Sequence, residues 1–147
     1  MLNIEIKTFN ELSTQELYAI LQLRSEVFVV EQDCVYQDID GKDQKALHIL
    51  GYKDEKLVAY TRIFKAGYYF EETSIGRVLV HFNERKFKYG YTIMEASIAA
   101  IKTHYNETLI RISAQSYLRK FYNNLGFKEV GEEYLEDGIP HINMIKS

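Results

Sequence analysis

The chain has 147 residues, 46% of them hydrophobic and 14% aromatic, enough for one sizeable core and too few for a second independent domain. Its formal net charge of -3, with 27% charged residues of both signs interspersed, excludes a global attraction to nucleic acid or to an anionic membrane, so an anionic ligand must be held by a local basic cluster. The single cysteine, Cys34, excludes an intramolecular disulfide and a cysteine-rich zinc site. No apolar run approaches the ~18 residues of a membrane span, residues 1–9 alternate rather than forming a signal-peptide run, and the expected location is the cytoplasm.

Leu2, Ile4 and Ile6 alternate with polar residues, the period of a strand with one buried face. Ser13 and Glu16 form a capping-box pattern, and Leu17, Ile20, Leu21, Arg24, Val27 and Phe28 follow at helical spacing. Residues 32–45 are polar, contain Asp38, Asp40, Gly41 and Asp43, and read as a loop. Segments 46–52 and 57–64 are apolar-rich and read as a hairpin with a four-residue connection, and 74–80 is a further strand. A second amphipathic helix carries Ile93, Met94, Ser97, Ile98 and Ile101; 108–114 is a strand. Tyr117, Leu118, Phe121, Tyr122 and Leu125 give one more helical stripe, stopped by Gly126 as a left-handed cap. Strands 127–135 and 141–145 close the chain, with Asp137, Gly138 and Pro140 as turn residues between them. The order implies one mixed α/β domain over 1–147.

The stretch from Val78, Leu79 and Val80 through Arg85, Lys86, Phe87 and Lys88 to Tyr89, Gly90 and Tyr91 is a strand running into a basic turn that opens onto a helix. Unpaired amides at a helix N-terminus and the helix dipole together make an anion site, to which Arg85, Lys86 and Lys88 add charge. The alternative is three solvated surface cations. The segment resembles the acetyl-CoA motif Arg/Gln-x-x-Gly-x-Gly/Ala of the GNAT (Gcn5-related N-acetyltransferase) family, aligned on Arg85-Lys86-Phe87-Lys88-Tyr89-Gly90. Lys88 stands where the motif has its first glycine.

Downstream, Ala114-Gln115-Ser116 through Phe121-Tyr122-Asn123-Asn124-Leu125-Gly126-Phe127 resembles the same family's passage ending in Phe-Tyr-x-x-x-Gly-Phe. Arg24 to Gln32, Tyr36 to Asp43 and Glu136 to His141 are similar to its ElaA-type branch. The resemblance implies a mixed sheet splayed between its fourth and fifth strands and flanked by helices. Acetyl-CoA would be its cosubstrate, with the pantetheine arm in that cleft. It further implies a cosubstrate site built from Leu79, Val80, residues 85–91 and Gln115, and a general-acid role for Tyr122 toward the departing thiolate. The bland reading of Tyr122 is one more core aromatic.

A protonated amine must lose a proton before it can attack. Glu31, His48 and His141 are the candidate bases, histidine having an unperturbed pKa near 6.5; a His within Leu47-His48-Ile49 also suits a hydrogen-bonded core position. Asp38, Asp40 and Asp43 lack the spacing of an EF-hand, so no metal is expected; they serve either to attract a cationic substrate or as a hydrogen-bonded turn. Nothing near Cys34 suggests an acyl-cysteine intermediate. The expected activity is N-acetyl transfer from acetyl-CoA to a small-molecule or exposed amine by direct attack in a ternary complex. The alternatives are a CoA-binding regulatory module without turnover and an interaction protein that has lost CoA. Nucleic acid and membrane are not expected partners, and a homodimer is left open.

Overall fold

The capping box at the first helix forms in full: Glu16 N–H donates to Ser13 Oγ at 3.0 Å and Ser13 N–H to Glu16 Oε1 at 2.8 Å, in a computed structural model that describes all 147 residues. Helix α1 spans Thr14–Arg24 and then widens into a π-helical segment, Ser25–Glu31. That extension carries the chain past the expected end at Phe28 and brings Glu31 and Gln32 over the sheet. The strands are β1 (Asn3–Thr8), β2 (Leu47–Lys53), β3 (Lys56–Phe64), β4 (Thr73–Val80), β5 (Ile110–Gln115), β6 (Lys128–Glu136) and β7 (Ile139–Lys146). Two further helices are α2 (Tyr89–Tyr105) and α3 (Arg119–Asn123). One seven-stranded sheet has the order β1-β2-β3-β4-β5-β7-β6, and the expected mixed α/β architecture is present.

Four local expectations are corrected. The β2–β3 connection is a two-residue turn, because Asp54 and Glu55 both take positive φ and let Lys53 pair with Lys56. The basic stretch is not an open turn but a 3-10 helix, Phe82–Phe87. The third helical stripe divides into a 3-10 turn, Ser116–Leu118, and the five-residue α3; Gly126 does take the left-handed conformation. Pro140 lies within β7, opposite Leu135. It is tolerated because β5 ends opposite His141, leaving no strand on that side to receive the missing N–H.

Both faces of the sheet are covered. Ile93, Met94 and Ile101 of α2 pack with Ile49, Ile63 and Ile110, and Thr61 hydrogen-bonds Ser97 at 2.6 Å between sheet and helix. On the other face Ile20, Leu23 and Val27 pack with Leu50, Tyr60 and Leu79. Each fully buried aliphatic side chain of this kind stabilises the fold by roughly 1.5–3 kcal/mol.

The sheet opens in its middle. β4 and β5 are parallel and pair only at Thr73–Ile110 and Ser74–Arg111. Beyond them Arg77 takes φ +50, and Arg77 with Val78 faces Thr61 alone, since Tyr60 pairs with Leu79 and Arg62 with Gly76. An extra residue in one strand bends it and sharpens its twist, which turns the end of β4 away from β5.

Candidate functional site: a cleft between β4 and β5

The opening is a cleft of about 650 Å³ lined by 27 residues, within the size range of ligand pockets. Leu79 and Val80 of β4 border it on one side and Gln115 and His141 on the other; α3 contributes Tyr122, and Glu31 and Gln32 cross above.

At one end lies the N-terminus of the 17-residue α2, which no side chain caps and whose first turn holds no acidic residue. Lys88, immediately before it, adopts φ +61 and ψ +29, the region glycine enters freely and an L-residue enters at roughly 1 kcal/mol or more. Lys88 therefore holds a conformation that a glycine would take without strain, and it makes no ion pair of its own. Gly90 has a different reason: a Cβ there would sit 3.2 Å from Phe121 Cε1, so its glycine allows α2 to pack on α3.

The other basic residues are engaged. Arg85 donates to both Glu31 oxygens, at 2.5 and 2.8 Å, and through Nε to the Val80 carbonyl at 3.1 Å. Lys86 Nζ lies 5.2 Å and Lys53 Nζ 4.0 Å from the Phe87 ring centre. Tyr89 is buried against Phe87. Tyr91 stacks obliquely on Phe121 at 4.7 Å, and its hydroxyl accepts from Asn124. The side chains of Phe87, Tyr89 and Tyr91 thus shape the turn by packing against Lys53, Phe121 and Asn124.

Tyr122 meets Phe121 and Phe127 edge-on, at 5.0 and 6.1 Å, and also lines the cleft. Burial, reinforced by Tyr117, pushes its pKa above the ordinary phenol range, so the hydroxyl keeps its proton. Gln115, at the tip of β5, exchanges two amide hydrogen bonds with Gln32, at 3.2 and 3.3 Å. Adjacent residues of the π-helical end therefore bridge the cleft, Glu31 toward the β4–α2 turn and Gln32 toward β5.

Of the candidate bases, Glu31 is in the cleft with both oxygens held by Arg85. His48 is fully buried away from it. Its Nε2–H donates to the Asp43 carbonyl at 3.0 Å, so Nδ1 accepts from Tyr60 at 2.6 Å; neither nitrogen has a free lone pair, and burial lowers its pKa. His141 is buried at the cleft wall directly opposite Gln115. Its Nδ1–H donates to the Ile139 carbonyl at 2.7 Å, and Nε2 lies 3.5 Å from Glu136 Oε2. Cys34 S–H donates to the Asp137 carbonyl at 3.4 Å.

The acidic loop is used internally. Arg24, fully buried, donates to Asp38 at 2.9 Å and Asp43 at 2.7 Å; Arg62 pairs with Asp43 at 2.9 Å and Asp40 at 2.5 Å. Arg77 Nε lies 2.7 Å from Asp38 Oδ1, which holds the bulge that opens the sheet. Arg24, Arg77 and Gln32 were not singled out from the sequence as site-building residues. The position of Arg24 on an apolar helical stripe, followed by three aspartates, is the pattern that points to a buried ion network. Nothing local marks Arg77, since arginine is not a residue expected at positive φ.

A sheet splayed beside an uncapped helix N-terminus, with a buried tyrosine at the opening, defines an acyltransferase class, and comparison with known proteins agrees. Residues 8–147 match the family model described as an acetyltransferase (GNAT) domain; the chain belongs to this family and is an N-acetyltransferase of it, with an acyl-CoA cosubstrate. It is 47% identical over 139 residues to protein ElaA of Escherichia coli strain K12, covering 93% of this chain and 91% of that one. The crystal structure of Escherichia coli ElaA matches with a TM-score of 0.93 at 44% identity over both full chains. An acyl-CoA N-acyltransferase from Pseudomonas aeruginosa matches with a TM-score of 0.93 at 39% identity, also over both full chains.

Proposed function

We propose that the protein transfers an acetyl group from acetyl-CoA to a primary amine by direct attack in a ternary complex, the thioester lying between β4 and β5. The observation that carries this reading is the parallel pair that ends after Ser74–Arg111 with the Tyr122 side chain lining the gap beyond it. No β5 partner takes the backbone of Leu79 or Val80 there, and although the Val80 carbonyl accepts from Arg85, the Val80 amide is left for the pantetheine arm. The pyrophosphate falls to the α2 N-terminus, where amides without intrahelical acceptors meet an anion and Lys88 supplies a cation.

The amine nitrogen forms its bond to the carbonyl carbon, the electron pair moves to oxygen, and collapse of the tetrahedral intermediate breaks the C–S bond with its pair on sulfur. Tyr122 donates its proton toward that sulfur. Its raised pKa makes complete transfer to a thiolate, whose usual pKa is about 8.5, unfavourable by itself. The hydroxyl therefore acts as a hydrogen-bond donor that passes on the surplus proton of the attacking nitrogen. Positioning of the two substrates supplies the remainder of the acceleration. The reading without turnover rested on Lys88, whose backbone conformation is the one a glycine would take.

Two-substrate kinetics of thiol release test the order of events. Intersecting double-reciprocal lines, unchanged in Cys34→Ala, are expected; parallel lines would indicate an acyl-enzyme and overturn direct attack.

A further inference from the structure

Resting on the proposed amine acetylation, we propose that His141 and Glu136 form the acceptor site, with His141 as the general base, and that the acceptor is a primary amine carrying no carboxylate beside its amino group.

The argument begins with the tautomer. A carbonyl oxygen only accepts, so the 2.7 Å contact to Ile139 places the proton of neutral His141 on Nδ1 and the lone pair on Nε2. That lone pair faces Glu136 Oε2 at 3.5 Å. Two acceptors thus face one another, the imidazole 8% exposed in the cleft wall and the carboxylate 46% exposed toward solvent, with no protein donor between them. An ammonium group, with three N–H donors, satisfies both: one N–H to Nε2 and one to the carboxylate. Transfer of the first proton to Nε2 gives an imidazolium beside Glu136 and frees the nitrogen pair that forms the C–N bond.

The position suits the reaction. His141 lies opposite Gln115 on adjacent strands, so their side chains share a face, and Gln115 is bonded to Gln32 on the α1 side. Tyr122 belongs to the core on the α2 side. Base and acid therefore approach the opening from opposite faces of the sheet, with the thioester between them.

The charges define the acceptor. The arginines lining the cleft are Arg77 and Arg85, and no lysine lines it. Arg77 is matched by Asp38 and Asp40, and Arg85 by Glu31. Glu136 is left facing only His141, and Asp137 makes no ion pair. An α-amino acid would bring its carboxylate next to Glu136 with no cation to receive it, whereas a simple amine meets no repulsion.

The test uses pairs that differ by a carboxylate beside the only amino group: tyramine and tyrosine, 2-phenylethylamine and phenylalanine, isopentylamine and leucine. Acetyl-CoA is the donor and thiol release the readout. Each amine should exceed its amino acid by about tenfold or more in kcat/KM. Glu136→Gln should raise KM for amines more than it lowers kcat. His141→Gln should lower kcat by about 10²- to 10⁴-fold while keeping the melting shift with acetyl-CoA. Tyr134 stacks on His141, ring centres 6.1 Å apart, and Glu136 is its ion-pair neighbour. Amino acids accepted as well as amines, turnover of His141→Gln within about threefold of wild type, or acetyl-CoA binding with no transfer to any amine would overturn the inference. If His141→Gln does not fold, the amine preference and the Glu136→Gln effect decide. Absence of any melting shift with acetyl-CoA in the wild type would instead defeat the underlying acetyltransferase reading.

Discussion

Lys88 combines two properties that substitution separates. Lys88→Gly keeps the left-handed backbone without strain but loses the ammonium, while Lys88→Ala loses the charge and keeps the strain. Acetyl-CoA binding should weaken in both and depend less on salt; calorimetric titration at two ionic strengths measures this. Equal affinity at both strengths in wild type and variants would remove the phosphate contact. His48 makes a different prediction, about stability. Burial holds its folded pKa below the unfolded value of about 6.5, so the unfolded chain binds the extra proton first, and its contribution is lost as pH falls through 6.5 toward the folded value. Urea midpoints between pH 7 and pH 5 should fall in wild type and fall less in His48→Gln. Sequence showed that His48 sits in an apolar run; that both its nitrogens are satisfied depends on Tyr60 and Asp43, which only the paired β2 and β3 and the preceding turn bring together.

The loop from Gln32 to the start of β2 is held by charge rather than by apolar packing. Arg24→Ala would leave Asp38 with Arg77 as its only cation and Asp43 with Arg62 as its only cation, so the loss should lie below the roughly 3–5 kcal/mol of a buried charge left with no partner, read as a drop in melting temperature; Arg24→Lys should not restore it, since an ammonium lacks the forked geometry. The pH effect has a definite sign. Burial raises the Asp43 pKa, but hydrogen bonds and charge from Arg24 and Arg62 outweigh it, and the net shift is downward. Its stabilisation is therefore complete above the unfolded value of about 3.9 and is lost as pH falls below that through the folded value. Denaturation curves below pH 4 should show the loss, and Asp43→Asn should show less of it. At this scale the helices and strands were legible from periodicity and capping residues. The π-helical extension and the bulge at Arg77 were not, because both are set by tertiary contacts: Glu31 and Gln32 reaching Arg85 and Gln115, and Arg77 gripped by Asp38.

The molecule as a whole is a sheet whose continuity fails in one place, and the proposed chemistry is assigned to that failure. Sequence motifs located the two sides of the opening, residues 78–91 and 114–127, since both carry short patterns with local conformational meaning. The acceptor wall was less legible: Glu136 and His141 lie in one short segment, but they meet only because a two-residue turn at Asp137 and Gly138 pairs Glu136 with Ile139, whereas the residue pattern ends one strand at residue 135 and begins the next at 141. Acetyl-CoA at about 100 times its dissociation constant should add roughly 2.7 kcal/mol to native stability, seen as a rise in melting temperature. The most direct measurement is Tyr122→Phe, followed by that melting shift and by CoA thiol release with a primary amine. The account predicts an undiminished shift with turnover reduced by about 10²- to 10⁴-fold. Turnover equal to wild type would contradict it and return Tyr122 to the core.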